Sequence, residues 1–175
     1  MLDRVFVVVA SRWFRLVLVS LLVLSLQTTL FSEVRPFGFA IQILAIFVAS
    51  AGATHDVYTG AVAGLVSGFM YDAILATPLG ISALVLGAVG AGAAVMLQPF
   101  RDPTWWLRLL VIGVAAAMGD VVTPLVKAVV GLDGWLEWRI LGVMLVTFVG
   151  AGVFAAPMIP LARWTLREKA VYGSR

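Results

Sequence analysis

Three ionisable side chains lie inside strongly apolar stretches of this sequence, where a charge is costly to place in a membrane. They are Asp72, Asp120 and Lys127. At about 1.5 Å of rise per helical residue, both aspartates lie roughly 20 Å from the cytoplasmic ends predicted for their helices. Two carboxylates at one depth can share a proton and activate a water molecule, so hydrolysis is the first chemistry to consider.

The sequence departs from the motifs that such hydrolysis requires. Tyr71-Asp72 and Gly119-Asp120 resemble the two aspartate motifs of intramembrane aspartyl proteases, but the second motif usually reads Gly-x-Gly-Asp and here begins with Ala117. The alternative is structural: backbone groups, hydroxyls or a cation hold each carboxylate, the candidate cations being Lys127, Arg35 and Arg139. The sequence favours this alternative and predicts a protein that is not an enzyme.

The sequence offers little for a metal ion or another cofactor. It has no cysteine, and its single histidine, His55, stands beside Asp56 in a predicted turn. A usual zinc site draws on several histidine, cysteine or carboxylate ligands, so a lone histidine is insufficient. We therefore predict neither a metal nor a cofactor.

The composition predicts an all-α integral membrane protein with a single domain. Of the 175 residues, 62% are hydrophobic and 12% are charged, whereas soluble domains carry about 25% charged residues. A helix needs about 20 mostly apolar residues to cross a bilayer. Six segments fit that requirement, although the first two are short: residues 16–31, 37–53, 57–75, 79–97, 106–130 and 140–162.

The distribution of basic residues predicts that both termini are cytoplasmic, because loops on that side carry more Lys and Arg. With this orientation, nine basic residues are cytoplasmic: Arg4, Arg12, Arg15, Arg101, Arg108, Arg163, Arg167, Lys169 and Arg175. Three lie on the outer side: Arg35, Lys127 and Arg139. All six tryptophans fall at predicted span ends, where an indole prefers the headgroup region.

Small residues recur every four positions in the third predicted span. Gly60, Gly64, Gly68 and Asp72 therefore lie nearly above one another on a helix and form a groove that ends at a carboxylate. Another helix can press its backbone into such a groove. The sequence leaves two alternatives open, which are tight packing inside the protein and a docking face for another protein.

Two further polar positions flank the span ends. In the turn at residues 76–80, Thr77 is predicted to cap the fourth helix and Pro78 to occupy its first turn. Gln27 and Thr28 lie near the outer end of the first span, where they can form interhelical hydrogen bonds or contact a lipid headgroup or a partner.

These motifs, in this order, resemble the MreD family of rod shape-determining membrane proteins. The resemblance rests on Leu26-Gln27-Thr28-Thr29, on the glycine series that ends at Asp72, and on Pro78-Leu79-Gly80. The six-span layout and the short loops also match. The sequence departs from the family where Pro36 is followed by phenylalanine, because the family often has Pro-Asp at the start of its second span.

The resemblance implies a non-enzymatic scaffold in the bacterial inner membrane. It implies binding to MreC and work with the MreB filament and the glycosyltransferase and transpeptidase pair of wall synthesis. It also implies a fold like the substrate-binding subunit of energy-coupling-factor transporters, so a small-molecule-binding transport subunit is the alternative. Such subunits carry an Ala-xxx-Ala docking face in the first span, whereas residues 16–31 contain no alanine.

Overall fold

The computed structural model describes residues 11–29, 41–75, 78–131 and 139–167, apart from the side chains of residues 75 and 139. Within these segments every regular element is an α-helix. There are six of them: α1 (Arg12–Thr29), α2 (Ile43–Thr54), α3 (Val57–Leu75), α4 (Ile81–Leu97), α5 (Trp105–Val129) and α6 (Arg139–Leu166).

Four of these helices, α1, α3, α5 and α6, are long and apolar enough to cross a membrane. The other two are shorter, since α2 has 12 residues and α4 has 17. Each of the six overlaps one of the segments predicted from the sequence, and the bounds of α3 coincide with residues 57–75. The part of the second predicted segment before residue 41 lies outside the described residues.

Two helices extend several residues beyond the predicted boundaries. Helix α1 begins at Arg12, four residues earlier than predicted, and α6 continues through Leu166 instead of ending at residue 162. Both extensions meet at one point, because Arg15 donates hydrogen bonds to the backbone carbonyls of Trp164 (3.0 Å) and Arg167. The last carbonyls of a helix have no intrahelical donor, so the Arg15 guanidinium stabilises the extra turn of α6.

Three of the prolines lie inside helices and do not end them. Pro124 is part of α5, and Pro157 and Pro160 are part of α6.

Helix α2 forms the centre of the bundle. Eleven of its twelve residues are buried, from Ile43 to Ala53, and it packs against all five other helices. A helix that is apolar on every side is stable only when it is surrounded. Its short length is therefore compatible with its position, because the other helices enclose it.

The contacts between α3 and α4 define their relative direction. Gly60 lies against Gly90 and Gly68 lies against Ser82, so α3 and α4 run in opposite directions. The bundle consequently has two distinct ends. We call one the basic end, because it holds the side chains of Arg12, Arg15, Arg101, Arg108, Arg163 and Arg167. At the opposite end, called the far end, Lys127 is the one cation whose side chain the structure describes.

Candidate functional site

Asp72 is a helix cap at the far end. Its side chain is 1% exposed. One carboxylate oxygen, Oδ2, accepts hydrogen bonds from the backbone N–H groups of Gly80 (2.9 Å), Ser82 (3.1 Å) and Ala83 (3.4 Å). These N–H groups belong to the start of α4, where a helix has no internal acceptor and carries a partial positive charge. A carboxylate from α3 therefore neutralises the N-terminus of α4.

The predicted cap of α4 is wrong in its position. The helix begins at Ile81, so its N-cap residue is Gly80 and Pro78 precedes the first turn. Gly80 has a φ of 104°, a left-handed conformation that glycine adopts without steric cost. Thr77 lies outside the described residues. The local pattern failed because the capping group comes from Asp72, eight residues before the cap position.

Gln27 of α1 caps the N-terminus of α2, as Asp72 of α3 caps that of α4. Its Oε1 accepts a hydrogen bond of 2.8 Å from the backbone N–H of Leu44, in the first turn of α2. Thr28 behaves differently, because its exposed hydroxyl donates to the carbonyls of Leu24 and Ser25 in its own helix. Of the two predicted interhelical positions, Gln27 bonds across helices, whereas the hydrogen bonds of Thr28 within the described residues stay in its own helix. The far end is thus built on two side chains that each cap the following helix.

The glycine series of α3 faces α4 along its whole length. A methyl group at Gly60 would lie 2.6 Å from the carbonyl oxygen of Gly90. At Gly64 it would overlap the backbone of Leu86 and lie 2.6 Å from the nitrogen of Gly87. At Gly68 it would overlap the backbone of Ser82 and Ala83. The backbones of α3 and α4 are therefore in direct contact, and the groove is occupied by another part of the same chain.

Asp120 lies in a different environment from Asp72. Its side chain is 5% exposed, and neither of its oxygens has a hydrogen-bond partner among the described residues. The buried hydroxyl of Thr147 on α6 faces it but also lacks a hydrogen-bond partner there. Within this part of the chain, neither Lys127 nor a backbone group binds Asp120, and the Thr147 hydroxyl is the one expected kind of group beside it; Arg35 and the side chain of Arg139 lie outside the described residues. The two aspartates therefore differ in their hydrogen bonding: the backbone of α4 binds Asp72, whereas Asp120 faces Thr147 on α6.

A cavity of about 170 Å³ lies near the far end, between α1, α2, α3, α4 and α5. Its polar lining consists of Gln27, Gln42, Tyr71, Ser82, Thr123 and Lys127. Its apolar lining consists of Leu44, Ile81, Val85 and Leu86, with Gly119 as the remaining residue. Among the described residues, the lining contains one cation and no carboxylate, and neither Asp72 nor Asp120 belongs to it.

The sequence pointed to some of these lining residues and missed others. Gln27 and Lys127 are predicted site residues, whereas Ser82 and Thr123 were not considered. A signal for Thr123 exists, since Gly119, Thr123 and Lys127 recur every four residues and all three line the cavity. Ser82 carries no comparable signal, because its position depends on where α4 begins.

The basic end presents a turn between α2 and α3. His55 follows α2 and Asp56 precedes α3, where the Asp56 carboxylate accepts a 3.4 Å hydrogen bond from the backbone N–H of Thr59. Partial burial lowers the pKa of His55. Hydrogen bonds from Thr59 lower the pKa of Asp56. Among the described residues, no three His, Cys, Asp or Glu side chains cluster as metal ligands would.

These features define a class: a helical membrane protein whose inner helices are packed backbone to backbone and whose far end encloses a small polar cavity. A family model for the rod shape-determining protein MreD matches residues 7–163. The chain therefore belongs to the MreD family, whose role is in determining rod shape. Neither a curated protein nor a solved structure gave a match.

Proposed function

We propose that the chain is a non-enzymatic scaffold subunit of the bacterial cell-wall elongation complex, which binds MreC and helps to maintain cell shape. The family match over residues 7–163 is the observation that carries this proposal. Through MreC, the scaffold would position the wall-synthesising glycosyltransferase and transpeptidase pair relative to MreB filaments.

The packing of α2, α3 and α4 supports a mechanical role. Gly52, Gly60 and Gly90 meet at one point, where an added methyl group on any of them would overlap a neighbouring backbone. Interiors packed this closely are stiff and transmit displacement. A stiff block can hold a partner at a fixed position, which is what a scaffold requires.

The proposed topology places all six helices in the inner membrane, with both termini and the basic end in the cytoplasm. Loops on the cytoplasmic side of membrane proteins carry an excess of Lys and Arg. The six arginines of the basic end, against Lys127 at the far end, follow that rule for the side chains that the structure describes. The buried helix α2 needs fewer residues than a lipid-facing span because the other helices surround it.

The first test is co-expression with the MreC of the same bacterium, followed by purification in mild detergent. We expect a stoichiometric complex that survives gel filtration. The matched control is an unrelated single-span membrane protein expressed at the same level with the same tag. If both proteins are well folded and no complex forms, MreC is not a direct partner and the scaffold proposal fails in this form.

The alternative function, a small-molecule-binding transport subunit, draws on the far-end cavity. Sites for drug-sized molecules usually have volumes of about 300–1,000 Å³. The cavity holds about 170 Å³, so it does not enclose such a molecule. Its size favours the scaffold function over carriage of a vitamin-sized substrate.

A further inference from the structure

The far-end cavity has the chemistry of an anion site. We propose that it binds a phosphate group, presented by the headgroup of an anionic phospholipid or by a free phosphate. This inference is independent of MreC binding, because it rests on the cavity lining alone. Nothing in the scaffold function requires the cavity to be filled.

The charge of the lining selects an anion. Within the described part of the chain, Lys127 has no hydrogen bond or ion pair, and none of the residues that line the cavity is Asp or Glu. Lys is a common phosphate ligand because its ammonium group acts as a point charge with three donors. A cation that has no partner among the described residues, in a pocket whose described lining is otherwise uncharged, is suited to a ligand of opposite charge.

The neutral side chains add donors around that charge. Gln27 uses its oxygen to bind Leu44, so its amide NH₂ remains available on the cavity side. The hydroxyls of Ser82 and Tyr71 make no hydrogen bond within the described residues and can donate. Phosphate oxygens accept several hydrogen bonds at once, and those to a charged group are about twice as strong as neutral ones.

Backbone groups contribute little, although two helices begin nearby. The N–H groups of Ser82 and Ala83 already bind Asp72, and the N–H of Leu44 already binds Gln27. An anion in the cavity must therefore depend on side chains. This makes Lys127 the main determinant of affinity and Ser82 a smaller one.

The size and the apolar lining of the far-end cavity indicate which kind of molecule carries the phosphate group. About 170 Å³ corresponds to the space of five or six water molecules at roughly 30 Å³ each, so a phosphate fits and a whole lipid does not. Leu44, Ile81, Val85 and Leu86 form an apolar wall on which hydrocarbon can pack. The lipid headgroup is the better match, with its acyl chains outside the cavity.

The experiment measures lipid retention by native mass spectrometry on the full chain, purified in mild detergent. Phosphatidylglycerol is the anionic probe, and phosphatidylcholine with the same acyl chains is the zwitterionic comparison. We expect wild-type protein to retain more phosphatidylglycerol than phosphatidylcholine. Lys127→Gln should weaken its retention about tenfold, as expected for the loss of a charge-assisted hydrogen bond. Arg101→Gln is the control: it removes one positive charge from an exposed position at the basic end and should leave the retention of phosphatidylglycerol unchanged.

Two further measurements keep the proposal testable if Lys127→Gln does not fold. Ser82→Ala removes only a hydroxyl without a partner and should reduce retention severalfold while the protein stays folded. Inorganic phosphate at millimolar concentration separates the sources: displacement of the lipid identifies free phosphate as a competent ligand, and no displacement identifies the headgroup. Equal retention of both lipids by wild type, or unchanged retention in Lys127→Gln and Ser82→Ala, would overturn the proposal.

Discussion

Two helix contacts, α3–α4 and α5–α6, each contain glycines and a buried aspartate. They differ in what the glycines face and in how the aspartate is bound. Between α3 and α4, glycines bring two backbones together, and the buried Asp72 is bound by the backbone of the facing helix. Between α5 and α6, Gly113 faces the ring of Phe148, a side chain 41% exposed. The buried Asp120 and Thr147 there have no hydrogen-bond partner among the described residues.

This difference distinguishes residues that stabilise the fold from buried residues that contribute little to its stability. A buried polar group that is fully bound stabilises a structure, whereas an unbound one costs free energy. Glycine against backbone leaves no room for adjustment, whereas glycine against a partly exposed ring does. The fold should therefore depend on the α3–α4 contact far more than on the polar residues between α5 and α6.

Gly64→Ala is expected to be the most damaging single change. A methyl group there overlaps the backbone of Leu86 and Gly87, so the two helices must separate. Overpacking a close-packed interior costs about 1–3 kcal/mol, and a backbone neighbour cannot rotate aside. We expect loss of the monodisperse folded protein in detergent, measured by gel filtration and thermal unfolding.

The matched control is Gly92→Ala on α4. Nothing lies within 4 Å of a methyl group at Gly92, and the residue is helical. Alanine favours a helix by up to about 1 kcal/mol over glycine, so this variant should be as stable as wild type or more so. A folded Gly64→Ala protein with the stability of the control would show that the backbones are not in contact.

Asp72→Ala should lower the free energy of unfolding by about 2–3 kcal/mol. It leaves the backbone N–H groups of Gly80, Ser82 and Ala83 without their buried acceptor. Asp72→Asn keeps one acceptor oxygen and should recover part of the loss. Unfolding with increasing sodium dodecyl sulfate, followed by circular dichroism, measures both changes.

The control for this prediction is Asp102→Ala, which removes an exposed carboxylate at the basic end. It should leave stability unchanged. Equal stability of Asp72→Ala and Asp102→Ala would mean that the cap does not contribute, and the proposed contrast with Asp120 would disappear.

Asp120→Asn should be neutral or stabilising, by up to about 1 kcal/mol. The carboxylate is buried without a partner in the described part of the chain, and a neutral amide costs less to bury than a charge. The same unfolding assay compares it directly with Asp72→Asn. A loss as large as that of Asp72→Asn would show that Asp120 is bound in the folded protein and that the two contacts are alike.

The glycine face of α3 was readable from the sequence, because a four-residue repeat of glycine places small residues on one helix face wherever the helix lies. The sequence did not indicate that α4 occupies this face, because that contact is tertiary. The cap of α4 was missed because it depends on a carboxylate from another helix, a tertiary contact that local turn patterns do not contain. The cavity was missed because the residues that line it come from five helices. Only Gly119, Thr123 and Lys127, which are spaced four residues apart on α5, form a pattern that is visible within a single helix.

Gly113→Ala should have the smallest effect and tests the contrast at its weaker side. A methyl group there would lie 2.9 Å from Cδ2 and 3.0 Å from Cε2 of the Phe148 ring. The ring can rotate away because it is partly exposed, and the gain in helix propensity offsets the repacking. We expect the free energy of unfolding to change by no more than about 0.5 kcal/mol. If this variant loses as much stability as Gly64→Ala, the α5–α6 contact is as rigid as the α3–α4 contact. The loss would then not depend on whether the glycine faces backbone or a side chain.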